Sequence, residues 1–357
     1  MSDLPDPVST QSDEAAISLA TTVVADVGAR YGVHPSWREF QGHLRYLAFE
    51  PDAEEAERLR GQMRSTDGIS AEVFEVALDS RDGERDFRLT KHRGLSSFLA
   101  PDLDSECFRH LKPGQAEVER LIRVRTRRLD SLLVERDVVP EFLKVDTEGT
   151  EQDVIEGAEG LLGHGVLGIR CSCNFQPCFV GQRLFSETHT YLLERDFVLL
   201  NLDYNGFGYP RLGLFRKPDP IAAEDFRYGM LVAADGVWIR RPDRVADTLG
   251  AAGSDAAVAS VVKLAYFCLL NHAPDVGIDL LRRQAATDGF GAAVASTRLF
   301  RALQLRVAQF LGRWRTVPDE QWERMRGFYR DIYDDDLKGG SAFYPQVQDM
   351  AAALAET

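Results

Sequence analysis

Asp26, Gly28 and Gly32 stand in the run Asp26-Val27-Gly28-Ala29-Arg30-Tyr31-Gly32, and Glu50 follows twenty-two residues after Gly28. Glycines that end an apolar run make a tight turn, which lets a ligand approach the backbone at the carboxyl edge of a sheet. An acid ending the next apolar run accepts hydrogen bonds from both hydroxyls of a ribose, so turn and acid together point to a ligand carrying an adenosine. Asp26 at the mouth of the turn would repel a pyrophosphate and suits the ammonium of a methionine moiety. GARYG also lacks the full G-x-G-x-x-G spacing. S-adenosylmethionine is therefore expected ahead of a nicotinamide dinucleotide.

A second pair of acids, Asp146 and Glu148, follows the apolar run Phe142 to Val145. They fall on a loop at a strand's carboxyl end, where open α/β sheets bind ligands. Three residues just beyond read instead as a helix start: Thr150 as cap, Asp153 in a capping-box place, and Glu151 near the positive helix end. Ser96 and Ser97 lie on a glycine-led loop within reach of cofactor or acceptor. His34 beside Pro35 reads as a surface or helix-start residue. Arg123, Arg125 and Arg127 share one face of a strand and read as charge protecting an exposed edge.

The elements that must position these groups alternate. Thr22 to Val27, Tyr46 to Phe49 and Ala71 to Leu78 read as strands, with a helix over Ala53 to Gln62. Asp79 to Leu129 breaks the rhythm with strand-like stretches Arg85 to Leu89 and Leu121 to Arg127, an insertion beside the sheet. Strands return at Phe142 to Val145, Val166 to Phe175 and Phe197 to Leu202, with helices over Glu151 to Leu162 and Phe185 to Glu194. A last strand is expected over Met230 to Ala234. The order predicts a doubly wound α/β sheet. Beyond Pro242 the segments Ala256 to Asn271, Val276 to Ala286 and Thr297 to Trp314 read as helices without strands. The expected division is a tail or helix over 1–20, a sheet domain over 21–241 and a helical region over 242–357.

Composition narrows the partners. A chain of 357 residues with 44% hydrophobic and 27% charged residues is ordinary globular protein, long enough for two cores. A formal net charge of −14 opposes partners gripped through phosphates, so nucleic acid is not expected. Met1 to Thr10 carries acids and prolines rather than a basic and apolar leader, and no long apolar run follows, so a cytoplasmic location without membrane contact is expected. The five cysteines are read as reduced thiols. Cys171, Cys173 and Cys178 lack a second C-x-x-C or H-x-x-x-H partner, so no zinc site is predicted.

The stretch Phe142 to Leu162, FLKVDTEGTEQDVIEGAEGLL, resembles the signature of the FkbM family of S-adenosylmethionine-dependent methyltransferases. DVGARYG, AFEPD (Ala48 to Asp52), VALDSRDGERDF (Val76 to Phe87), GLSSF (Gly94 to Phe98) and NFQPCFVGQRLF (Asn174 to Phe185) resemble its further motifs in order, together covering about Thr22 to Leu202. The resemblance implies a class I methyltransferase (Rossmann-like) sheet and methylation of a hydroxyl on a sugar, glycan or related metabolite. By motif position, Asp26, Gly28 and Gly32 would hold the methionine end of the cofactor, Glu50 the ribose, and Ala77 and Leu78 the adenine. Asp146 and Glu148 would face the transferred methyl, with Ser96, Ser97 and Asn174 toward the acceptor.

A hydroxyl is a poor nucleophile while protonated, so a carboxylate in hydrogen-bond reach serves as general base; Asp146 is the first candidate and Glu148 the second. The same acids are of a type that holds a divalent cation, although no metal is predicted. The strand Gly168-Ile169-Arg170-Cys171-Ser172-Cys173-Asn174 lacks acids that the family often carries there. That departure motivates an alternative: a non-catalytic S-adenosylmethionine-binding or regulatory protein on the same fold. The acceptor is expected to be a small molecule or glycan, and the sequence leaves the oligomeric state open.

Overall fold

The computed structural model of the chain describes residues 21–33, 37, 44–64, 68–108, 112–203, 211–212, 230–245 and 254–285. His34 and the expected helix over Thr297 to Trp314 lie outside the described residues. Ala20–Leu280 form one compact unit; the other takes Met1–Leu19 and Leu281–Thr357.

The large sheet has seven strands in the order β3-β2-β1-β7-β8-β12-β9. These are β1 (Thr22–Val27), β2 (Leu44–Phe49), β3 (Ile69–Phe74), β7 (Phe142–Val145), β8 (Gly168–Asn174), β9 (Phe197–Asp203) and β12 (Ala233–Arg240). The first five in that order run parallel, and β12 lies antiparallel between β8 and β9. Parallel strands covered on both faces need nearly continuous apolar runs, which β1 (TVVADV) and β7 (FLKV) supply but for Asp26 and Lys144. Asp26 and Lys144 are register partners on neighbouring strands. A Rossmann-like α/β fold results, as expected.

Helices α1 (Ala53–Arg64), α2 (Leu129–Val134), α3 (Glu151–Glu156), α4 (Glu159–Gly163) and α5 (Phe185–Leu193) flank the strands. In α1, Ala56, Leu59 and Met63 recur at helical spacing and are buried. Ala25, Val27, Leu143 and Val145 pack in one core with Val154, Ile155 and Leu162 of α3 and α4. On the opposite face lies α6 (Ser254–Leu270): Phe267 stacks on Phe142 at 4.7 Å between centroids, and Lys263 pairs with Glu141. The expected boundary at residue 242 therefore falls inside the sheet unit, because α6 covers the sheet. The last described helix is α7 (Pro274–Ala285).

Three boundaries differ from expectation. The run Ala71 to Leu78 is two strands: β3 ends at Phe74, and β4 (Ala77–Leu78) joins a small sheet ordered β4-β6-β5 with β5 (Gly83–Thr90) and β6 (Val118–Arg127). Arg123, Arg125 and Arg127 thus sit on the central strand of that sheet, where Arg123 pairs with Asp86 at 3.0 Å and Arg127 with Glu135 at 2.5 Å. The helix over 151–162 breaks at Gly157, where an added Cβ would meet the Asp79 carbonyl oxygen at 2.2 Å. β12 continues past Ala234 to Arg240, while Met230–Leu231 (β11) pairs separately with Arg211–Leu212 (β10).

Cys107 and Cys178, 71 positions apart in sequence, form a disulfide with a Cα separation of 5.6 Å. This corrects the expectation of five reduced thiols; Cys171, Cys173 and Cys268 are free and buried. The pairing was hidden in the sequence because one partner lies in the insertion and the other beyond β8.

Candidate active site

At the carboxyl edge of β1, β2 and β7 a cleft opens. It is lined by Gly28, Glu50, Ala77, Leu78, Ser96, Asp146 and Glu148 from the expected set, together with Arg30, Tyr31, Phe49, Val76, Phe98 and Thr147. Its lining is mixed, apolar from Phe49, Val76, Leu78 and Phe98 and acidic from Glu50, Asp146 and Glu148.

The floor depends on a close crossing of two loops. Gly28 has φ +81°, and a Cβ there would meet the Asp146 carbonyl oxygen at 1.8 Å. The turn is tied to β2 by hydrogen bonds from the N–H groups of Gly28 and Ala29 to the Phe49 carbonyl, at 3.1 and 3.3 Å. Gly32 also has positive φ, yet it faces the Gln62 side chain of α1 and lies off the cleft.

Glu50 is buried and accepts the Asp52 N–H at 2.9 Å. Arg30, unremarked as a site residue in the sequence, pairs with Asp52 at 3.2 Å and reaches toward Glu50 at 3.9 Å. Burial pushes the Glu50 carboxyl up to about 7, with the Asp52 N–H and Arg30 opposing that rise.

Asp26 does not reach the cleft. Its carboxyl is wholly buried beneath the turn, accepts the Tyr46 hydroxyl, and pairs with Lys144 Nζ at 3.1 Å. The ammonium expected of a ligand is thus supplied by Lys144 of the chain itself. Sequence reasoning missed this lysine and Tyr46 because each stands as one polar group in an apolar strand; the available signal was that a buried Asp26 requires a cationic partner.

The loop after β7 carries the candidate catalytic acids. Asp146 donates its N–H to the Val27 carbonyl at 2.9 Å, and its carboxylate lies 3.6 Å from Lys144 Nζ. Glu148 has φ +56°, and Gly149 has φ +103° with Phe179 packed against it. Such backbone in a non-glycine residue carries strain that surrounding contacts must hold. Glu151 holds it, accepting the Thr147 N–H at 2.9 Å and the Gly149 N–H at 3.0 Å. Glu151 therefore clamps the loop, and the capping-box bond expected from Thr150 does not form. Asp153 pairs with Arg183 outside the cleft.

All three loop acids are pushed up, burial first. At Asp146 the attraction of Lys144 opposes the rise. At Glu148 the charge of Asp146 adds to burial and holds the carboxyl well above its ordinary range. Glu151 sits at about 7, lowered from a higher value by the N–H groups it accepts.

Ser97 is wholly buried and donates to the Glu148 carbonyl at 2.7 Å, so it braces the loop from behind. Ser96 accepts the Thr90 N–H at 3.2 Å while lining the cleft. Asn174 closes β8 opposite Ala233, away from the cleft. Arg170, in the strand that lacks acids, pairs with Asp203 and Asp235, both at 2.7 Å, and donates to Asn271 at 3.1 Å. Acids from β9 and β12 thus satisfy it, and it too lies outside the cleft.

The fold and the cleft define a Rossmann-like domain with its site at the carboxyl edge of the sheet. Residues 26–199 match the family model of the methyltransferase FkbM domain. A solved structure of methyltransferase FkbM from Methylobacillus flagellatus KT shares 15% identity, with 61% of this chain and 43% of that chain covered and a TM-score of 0.36. This chain thus spans less than half of that protein, and the likeness is too distant to bear on function. No curated protein matches the chain. Among the described residues, no helix is long and apolar enough to cross a membrane, and no cluster of His, Cys, Asp and Glu forms a metal site.

Proposed function

We propose that this chain is an S-adenosylmethionine-dependent O-methyltransferase whose acceptor is a hydroxyl on a sugar, a glycan or a related small metabolite. The observation that carries the reading is that a buried carboxylate, Glu50, and the acids Asp146 and Glu148 line one cleft together with the apolar side chains of Phe49, Val76, Leu78 and Phe98.

The residues fit the cofactor. Glu50, short of water and pushed up to about 7, gains where two ribose hydroxyls donate to it. Leu78 and Phe98 offer apolar surface to a planar base, with Ala77 beside them. When bound, the cofactor would supply an electrophilic methyl group.

The chain's own part is orientation and proton removal. Holding an acceptor oxygen in line is worth roughly 7–11 kcal/mol of barrier. A base adds about 10²–10⁴-fold. Asp146 suits that role because Lys144 favours its ionised form, whereas Glu148 is pushed toward the protonated form by Asp146 itself. Burial raises both carboxyls, with Lys144 the largest opposing influence at Asp146 and Asp146 itself adding to the rise at Glu148. The non-catalytic alternative rested on Arg170 and Ser172, and neither residue lines the cleft.

Calorimetric titration with S-adenosylhomocysteine tests the reading. Micromolar binding that Glu50→Ala weakens supports it; a folded wild-type protein that takes up no ligand overturns it.

A further inference from the structure

Lys144 stands in the third position of β7, register partner of Asp26 on one side and of Arg170 on the other. Its ammonium has three acceptors within reach: Asp26 Oδ1 at 3.1 Å, the Gly28 carbonyl at 3.3 Å and Asp146 Oδ2 at 3.6 Å. The Gly28 carbonyl accepts a hydrogen bond from it, and the two carboxylates flank it as ion-pair partners, so the group is held between the two loops. Asp26 is held in turn by Tyr46. The lysine therefore joins the Gly28 turn to the Asp146 loop from beneath, without lining the cleft.

We propose that Lys144 is a positioning residue that holds the Asp146 carboxylate charged and aimed into the cleft. As a statement about catalysis this rests on the reading of Asp146 as base; as a statement about Asp146 it stands alone. The other groups acting on Asp146 are negative: Asp26 from β1 and Asp235 from β12. Glu148 and Glu151 on its own loop and helix, and the Tyr31 hydroxyl across the cleft mouth, interact with it as well. Lys144 is the cation paired with Asp146 among the described residues, so its removal leaves the Asp146 carboxylate facing like charges.

The test is a carboxyl titration by NMR on full-length protein carrying carbon-13 aspartate, without cofactor, with the Asp146 resonance assigned by its loss in Asp146→Asn. In Lys144→Met the Asp146 midpoint is expected to rise by about one pH unit or more, a tenfold change in proton affinity, and Lys144→Arg to bring it back. An unmoved midpoint in folded Lys144→Met overturns the proposal and leaves Lys144 as the counter-ion of Asp26 alone. Should Lys144→Met fail to fold because Asp26 is left buried without its ion pair, the double variant Asp26→Asn, Lys144→Met is read against Asp26→Asn alone, so that the charge of Asp26 is absent from both sides, and the same rise is expected. Absence of S-adenosylhomocysteine binding in the wild type would sink the cofactor reading while this titration still decides the role of Lys144.

Discussion

Both carboxylate oxygens of Glu151 lie 3.0 Å from the N–H of Gly149, two residues back along the chain. The bond turns the first residue of α3 into the clamp of the strained loop that presents Asp146 and Glu148. Glu151→Ala is expected to leave the buried N–H groups of Thr147 and Gly149 unsatisfied, at a cost of about 1–3 kcal/mol. Urea denaturation reads that cost. Glu151→Gln, which keeps an acceptor, should recover part of it; equal loss in both variants would rule out the clamp.

Glu50 gives a pH signature. Its folded value of about 7 lies above the ordinary 4.5, so the folded protein holds a proton that the unfolded chain releases. Stability therefore falls as pH rises from about 4.5 through 7, and Glu151 adds a slope of the same sign. Glu50→Gln should flatten the slope. Ligand hydroxyls donating to Glu50 favour the ionised form, so S-adenosylhomocysteine should bind about tenfold more weakly at pH 6 than at pH 8. PH-independent affinity would remove Glu50 from the ribose.

The two positive-φ glycines of the first turn should separate. In Gly28→Ala the new methyl strikes the Asp146 backbone, which cannot swing aside, so a loss of about 1–3 kcal/mol and of ligand binding is expected. In Gly32→Ala it meets the end of the Gln62 side chain, which can move. That variant should lose some stability and keep its affinity. Equal affinity losses would contradict the placement of Gly32 outside the cleft.

Reduction of Cys107–Cys178 releases a long loop, worth about 4 kcal/mol in the chain-entropy account. A phosphine reductant should lower the urea midpoint of the wild type and leave a Cys107→Ser, Cys178→Ser variant unchanged. Alkylation of all five cysteines in denaturant without reductant would show that no bond was there.

The strands around the site were legible because parallel strands covered on both faces write themselves as apolar runs, as Thr22 to Val27 does. What the pattern does not carry is partnership. AEVFEVAL is one uninterrupted run, yet its halves belong to different sheets, and the change of partner after Phe74 leaves no mark in composition. Asp235-Gly236 reads as the end of a strand; it is interior because the Trp238 ring covers Gly236, where a Cβ would strike it. Within the site, Glu50, Asp146 and Glu148 stood out as acids after apolar runs. Asp26 also stood out, but its partner Lys144 sits more than a hundred residues away, and only the register of β1 against β7 brings them together.

The insertion of β12 between β8 and β9 bears on how the chain must be made. β9 leaves the ribosome before the strand it pairs with exists, and β8 waits with an open edge until residues 233–240 arrive. Such late, long-range pairing slows folding and exposes an edge to other chains meanwhile. The matched region ends at residue 199, but the smallest piece that completes the sheet ends at Arg240. A fragment trimmed to the family boundary would keep the cleft's residues, cut β9 short and lack the strand that joins β9 to the rest of the sheet.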